Sequence, residues 1–166
     1  MTGTSTSTPG RVHLAVRKAV VVLTAGAGIA LTPLPALAQA PAAPTVVAQT
    51  AAAQVAVNTA LAQVGDPYVW GAAGPSSFDC SGLTMYSWGA AGVSLPHSSS
   101  MQSTVGTPVS YSDLQPGDLV FFYSPVSHVA MYIGNGQIVT APHSGDVVKV
   151  IPLSYMPSYA GARRVG

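Results

Sequence analysis

Apolar positions take three textures along the 166-residue chain. The first is a continuous run, Ala19–Leu31, with Arg11, Arg17 and Lys18 before it and Thr32-Pro33-Leu34-Pro35-Ala36-Leu37-Ala38 after it. The second is helical. From Val46 to Val64 the chain is rich in Ala and Gln, and Val57, Leu61 and Val64 fall at i, i+4 and i+7, predicting an amphipathic helix with those three on one face, ended by Gly65 and Asp66-Pro67. Tyr68–Gly74 reads as an aromatic, glycine-rich loop. Asp79 is a good N-cap for a second helix from Cys80 to about Ala91, stopped by Gly92, and a third, shorter helix is predicted over Ser98–Val105.

After Gly106 the pattern changes to short β-branched and aromatic runs separated by turns. Leu119–Tyr123, Ser127–Ile133, Gln137–Thr140, Val147–Ile151 and Tyr159–Arg164 read as strands, with Pro116-Gly117, Gly134-Asn135-Gly136 and Ser144-Gly145-Asp146 as turns. Helices first and strands later predict an α+β domain, helices packed on an antiparallel sheet of about five strands.

Composition adds a compartment. Only 7% of residues are charged, against about a quarter in an ordinary soluble domain, and none lies between Ala19 and Gly65. The basic lead, the apolar run and the small residues Ala36 and Ala38 have the order of a secretory signal peptide, residues 1–38, cleaved before Gln39. The apolar run is short of the ~20 residues that span a bilayer, so no stable membrane anchor is expected. An Ala/Pro-rich linker, 39–45, then leads to one domain over 46–166, expected to be secreted or wall-associated and monomeric.

Charge removes one class of partner. Beyond Lys18, Lys149, Arg163 and Arg164 face five aspartates, so no basic patch exists to displace counterions from phosphate, and nucleic acid is not an expected partner. Glutamate is absent, excluding a Glu acid or base. A single cysteine with scattered histidines has no metal-ligand spacing and no phosphate loop is present, so neither metal nor cofactor is expected.

That cysteine, Cys80, cannot form an intramolecular disulfide although export would permit one. It is either a buried apolar filler or a thiol kept free for chemistry. In Asp79-Cys80-Ser81-Gly82 a capped helix would place it in the first turn, where free N–H groups and the macrodipole favour the thiolate and predict a lowered pKa. Gly82 would allow another backbone or a substrate to come close. A thiol nucleophile needs an imidazole, and the candidates are His97, His128 and His143. Alternation along His128–Ile133 separates His128, Ala130 and Tyr132 from a core face of Val129, Met131 and Ile133, leaving His128 on the side expected to meet the Cys80 helix. Asp79 and Ser81 could contact a substrate ammonium group, although capping explains Asp79 equally well. His97 could line the cleft or simply open a helix.

The blocks Gly65-Asp66-Pro67-Tyr68-Val69-Trp70-Gly71, Phe78-Asp79-Cys80-Ser81-Gly82-Leu83, Leu95-Pro96-His97-Ser98, Leu114–Phe122 and His128–Gly134 occur in an order that resembles the NlpC/P60 family of bacterial cell-wall cysteine peptidases, over roughly Val55–Val165. The resemblance implies a papain-like fold, Cys80 as nucleophile, His128 as base and Tyr68 as a hydroxyl donor near the oxyanion. It implies peptidoglycan stem peptides as substrate, with the D-isoglutamyl–meso-diaminopimelate amide as the bond cleaved.

The family's third residue, usually His, falls twelve positions after the base, where this chain has Thr140. Hairpin register decides whether Thr140 or His143 supports the imidazole. A three-residue Gly134-Asn135-Gly136 loop sets Ala130 against Thr140, whereas a two-residue Asn135-Gly136 turn pairs Gly134 with Gln137 and sets His128 against His143. The reading favoured is Thr140. A non-catalytic peptidoglycan-binding module, and an amidase or acyltransferase using the same Cys–His pair, remain the alternatives.

Overall fold

The computed structural model describes residues 50–166. The signal peptide and linker expected from the sequence, and positions 46–49 of the first expected helix, lie outside the described residues. Helix α1 spans Ala51–Ala62, and Thr50 caps it, its Oγ1 accepting the Ala53 N–H at 3.1 Å. Its buried positions are Ala53, Ala56, Val57 and Ala60, an i, i+3, i+4, i+7 stripe. The expected face is corrected here: Val57 is buried, but Leu61 and Val64 are 37% and 49% exposed. Small side chains face inward because α1 lies close to its neighbours, and a Cβ on Gly117 would stand only 2.8 Å from the Ala53 Cβ.

Helix α2, Cys80–Ala90, packs against α1 and buries Leu83 and Trp88. Helix α3 is a single turn, Ser99–Gln102, shorter than expected. The Ser103 and Thr104 hydroxyls donate back to the carbonyls of Ser100 and Met101, a local alternative to continuing the helix.

Strands β1 (Thr107–Val109), β2 (Leu119–Phe122), β3 (His128–Gly134), β4 (Gln137–Thr140), β5 (Lys149–Pro152) and β6 (Tyr159–Arg164) form one antiparallel sheet in the order β1-β6-β2-β3-β4-β5. The sheet thus has six strands rather than about five. The additional one, β1, is three residues long, contains Pro108 and pairs at the edge with β6, where a missing N–H is tolerated and the sequence signal is weakest.

Both faces of the sheet are covered. Leu119, Phe121, Val129, Met131 and Val139 join the helices in one core, while Val120, Phe122, Ala130, Ile138, Leu153 and Ala162 form a second on the opposite face. The helices therefore cover the Val129/Met131 face, and the expectation that α2 meets the His128 face is corrected. His128 reaches the cleft because it is the first residue of β3, at the strand end where β3 leaves the loop from β2. Among the described residues no helix is long and apolar enough to cross a membrane.

Candidate active site

Cys80 opens α2 and is 9% exposed. Its cap is the one expected: Asp79 Oδ1 accepts the Gly82 N–H at 2.7 Å. Gly82 is required by backbone proximity, since a Cβ there would lie 2.1 Å from the Ala72 carbonyl oxygen. That contact holds the Gly71–Gly74 loop against the helix start, and Asp79 N–H donates to the same Ala72 carbonyl at 2.8 Å. The loop from β2 and the N-terminus of α2 enclose a cleft lined by Tyr68, Trp70, Cys80, Tyr123, His128 and His143 among others.

The thiol is not activated by its helix alone. Burial pushes the Cys80 pKa up and the Asp79 charge pushes the same way, against backbone N–H groups of Val129, Ser81 and Cys80 that pull it down. The expected lowering is corrected, because at this depth the loss of water outweighs the partial charges of the helix end. The Tyr68 phenol is also raised, chiefly by burial and then by Cys80 and Asp79, which keeps it a neutral donor.

His128 is held from the opposite side. Its Nε2 lies 2.9 Å from Thr140 Oγ1, and Thr140 is wholly buried at the end of β4. The hairpin reaches this pairing by combining the two registers. Gly134 pairs with Gln137 across the two-residue turn, and Asn135 and Gly136 both have positive φ, 52° and 70°, as a type I′ turn demands. A register shift between Tyr132 and Gly134 then slides the strands by one, so Tyr132 pairs with Ile138 and Met131 with Val139. One extra residue on the bulged strand restores the register of the longer loop. Thr140 accordingly meets His128, while His143 lies beyond Pro142, hydrogen-bonded through Nδ1 to the Ser144 carbonyl and 3.7 Å from Asp146.

Burial pushes the His128 pKa down to about 4, with the nearby His143 acting in the same direction. The resting pair is therefore a thiol and a neutral imidazole. A neutral imidazole has one N–H, and when that proton sits on Nε2 the Thr140 oxygen accepts it and Nδ1 presents a free lone pair.

Asp79 does more than cap. Its Oδ2 accepts the Gly71 N–H at 2.9 Å, Oδ1 accepts the Ser81 hydroxyl at 3.2 Å, and His97 Nε2 lies 2.9 and 3.0 Å from the two oxygens. His97, Asp79, Cys80, Ser81 and Ser127 line a second, smaller depression that shares Trp70, Cys80 and Ser127 with the cleft and does not include His128. Trp70 stands 84% exposed and lines both. Among the described residues no group of three His, Cys, Asp or Glu is placed to hold a metal ion.

Residues 65–164 match the model of the NlpC/P60 family. The chain belongs to the NlpC/P60 family. It is 44% identical over 129 residues to a probable endopeptidase of Corynebacterium glutamicum, covering 78% of this chain and 58% of that protein. It is 41% identical over 123 residues to a gamma-D-glutamyl-L-lysine dipeptidyl-peptidase of Bacillus cereus, covering 69% of this chain and 37% of that one. A peptidoglycan endopeptidase of Mycolicibacterium smegmatis, RipA, is 40% identical over 116 residues, covering 61% of this chain and 23% of that protein. The chain thus spans less than two thirds of the length of each of these relatives. A crystal structure of an NlpC/P60 family protein from Bacillus cereus superposes with a TM-score of 0.65 at 40% identity, covering 70% of this chain and 41% of that one.

One residue of this NlpC/P60 site was not legible beforehand. Gln102 is wholly buried; its Oε1 accepts the Thr84 hydroxyl at 2.7 Å, and its Nε2 donates to the carbonyls of Ser81 at 3.0 Å and Pro96 at 2.8 Å. It ties the start of α2 to the segment carrying His97. A lone Gln beside polar neighbours carries no pattern that distinguishes it from a surface residue. Gln102→Leu removes three buried hydrogen bonds but leaves the Thr84 hydroxyl on the Ser81 carbonyl and the Ser98 N–H on the Pro96 carbonyl, so urea denaturation should show a loss of about 1–2 kcal/mol.

Proposed function

We propose that this protein is a secreted cysteine peptidase that hydrolyses peptidoglycan stem peptides. The observation that carries the reading is the Thr140 hydroxyl 2.9 Å from His128 Nε2, an arrangement that leaves Nδ1 free to act as base toward a thiol in the same cleft. As Cys80 Sγ attacks the amide carbonyl, the thiol proton passes to His128 Nδ1. The oxyanion is met by the Tyr68 hydroxyl and the Cys80 N–H. Collapse breaks the C–N bond, the departing amine takes the proton from His128, and an acyl thioester remains on Cys80. Water then attacks with His128 again as base, the C–S bond breaks, and the thiol is restored with release of a carboxylate product.

The substrate reading rests on the relatives named for peptidoglycan and for a γ-D-glutamyl bond. By that analogy the bond is D-isoglutamyl–meso-diaminopimelate. Secretion rests on the basic lead, the apolar run and Ala36-x-Ala38. Incubation with purified muropeptides, followed by mass spectrometry, should release the amino-terminal dipeptide portion of the stem; intact muropeptide bound but never cleaved would make the domain a binding module.

Thr140 is the positioning residue in this scheme. Thr140→Val keeps the β-branched shape but removes the acceptor, so kcat should fall by about a hundredfold while KM changes little, a milder loss than removal of a charged orienting residue causes. His143→Ala should lower kcat far less than Thr140→Val, because its imidazole is bonded to the Ser144 carbonyl and not to His128.

A further inference from the structure

Proton delivery gives the cleft a direction. His128 must hand its proton to the departing amine, so the leaving group lies on the side lined by His128, Tyr123, His143 and Met156. The acyl part of the substrate, with its amino end, then runs the other way from Cys80, into the depression lined by Asp79, Ser81, His97 and Ser127. Among the described residues Asp79 is the only carboxylate lining that depression, so it is the group that could counter an ammonium there.

Asp79 is already fully engaged. It is 6% exposed, and its two oxygens accept from Gly82 N–H, Gly71 N–H, the Ser81 hydroxyl and, at 2.9 and 3.0 Å, His97 Nε2–H. A carboxylate only accepts, so the proton between them belongs to His97. Asp79 cannot swing toward a ligand without uncapping α2 and releasing the Gly71 loop. An ammonium group entering this depression would lose water with no free anion to replace it, and would lie beside an imidazole whose proton faces the carboxylate. An amide nitrogen asks for much less: one acceptor, which the Ser127 or Ser99 hydroxyl on the same wall can supply.

We propose that this subsite selects stem peptides whose amino end is acylated, as in a stem still joined to its glycan, and that His97 sets the selection by occupying Asp79. The inference rests on the peptidase reading above and names the substrate form that reading leaves open. His97 is then a specificity residue, with no part in the bond-breaking steps.

The test uses two forms of the tripeptide L-alanyl-γ-D-glutamyl-meso-diaminopimelate, one with a free amino terminus and one N-acetylated, at neutral pH. The protein should cleave the acetylated form with kcat/KM about tenfold higher, and His97→Ala, which removes the imidazole donor from Asp79 while leaving the Gly82, Gly71 and Ser81 donors in place, should erase that ratio mainly by lowering KM for the free amine. His97→Gln keeps an N–H donor for Asp79 and should keep the preference. A protein that favours the free amine, or a ratio unchanged in folded His97→Ala, overturns the inference. Calorimetric titration of Cys80→Ala with the same two peptides separates the failures. If neither peptide is cleaved the peptidase reading falls, while tighter binding of the acetylated form still supports the selection and equal or reversed affinities refute it.

Discussion

Replacing Cys80 by alanine is expected to lower kcat on muropeptides by about six orders of magnitude, the scale on which loss of a nucleophile acts elsewhere, with the folded state intact. The substitution removes one sulfur from a site whose backbone is held by the Asp79 cap and by the contact of Gly82 with Ala72. The pH dependence of the unmodified protein should be equally distinctive. Burial raises the Cys80 thiol and lowers His128 to about 4, so the working form, thiol with neutral imidazole, persists across the neutral range. The rate should be flat near neutrality and fall as pH drops through about 4, where His128 takes up a proton and ceases to be a base. Iodoacetamide should alkylate the thiol slowly at pH 7 and faster only above its ordinary range. Fast alkylation at pH 6, or an acid limb near 6.5, would show instead a preformed thiolate–imidazolium pair. Unchanged turnover in Cys80→Ala would remove the peptidase reading altogether.

Acid should destabilise the domain by a route that also runs through His128. Its pKa is about 4 when folded, against an ordinary value of 6.5. Between those values the unfolded chain binds the proton and the folded one does not, so stability rises with pH. The contribution is complete above about pH 6.5 and is lost as pH falls toward 4. Two and a half pH units correspond to about 3 kcal/mol, most of it burial of an imidazole whose hydrogen-bond partner among the described residues is Thr140. Urea denaturation at pH 7 and pH 4.5 should therefore give a difference of about 2–3 kcal/mol in the protein and a much smaller one in His128→Gln. An equal pH dependence in both would place the acid sensitivity elsewhere.

The sites where sequence and structure part company have a common physical origin. Tight approach of α1 to its neighbours inverted a stripe chosen by apolarity: Ala53, Ala56 and Ala60 are buried because they are small, while Leu61 and Val64 face out. The helix end favours the Cys80 thiolate, but the protein that covers the sulfur outweighs it and raises the pKa. The local sequence of the β3–β4 hairpin is compatible with two loops, and a bulge combines their registers. Gln102 bonds to residues 18 and 21 positions away and to the Pro96 carbonyl, a set that no local window contains.

By itself the sequence determined what depends on local chemistry. It specified the Asp79 cap, the close approach at Gly82, a turn at Gly134-Asn135-Gly136, the helix-then-strand order, and the ordered blocks that mark the NlpC/P60 family, because each is encoded within a few consecutive residues. Only the folded arrangement decides which partner holds His128, that Asp79 accepts from His97, and that burial raises the thiol pKa and lowers that of the imidazole. Those properties depend on distance and on exclusion of water, and both are set by segments far apart in the chain that meet only when the sheet and helices close around the cleft.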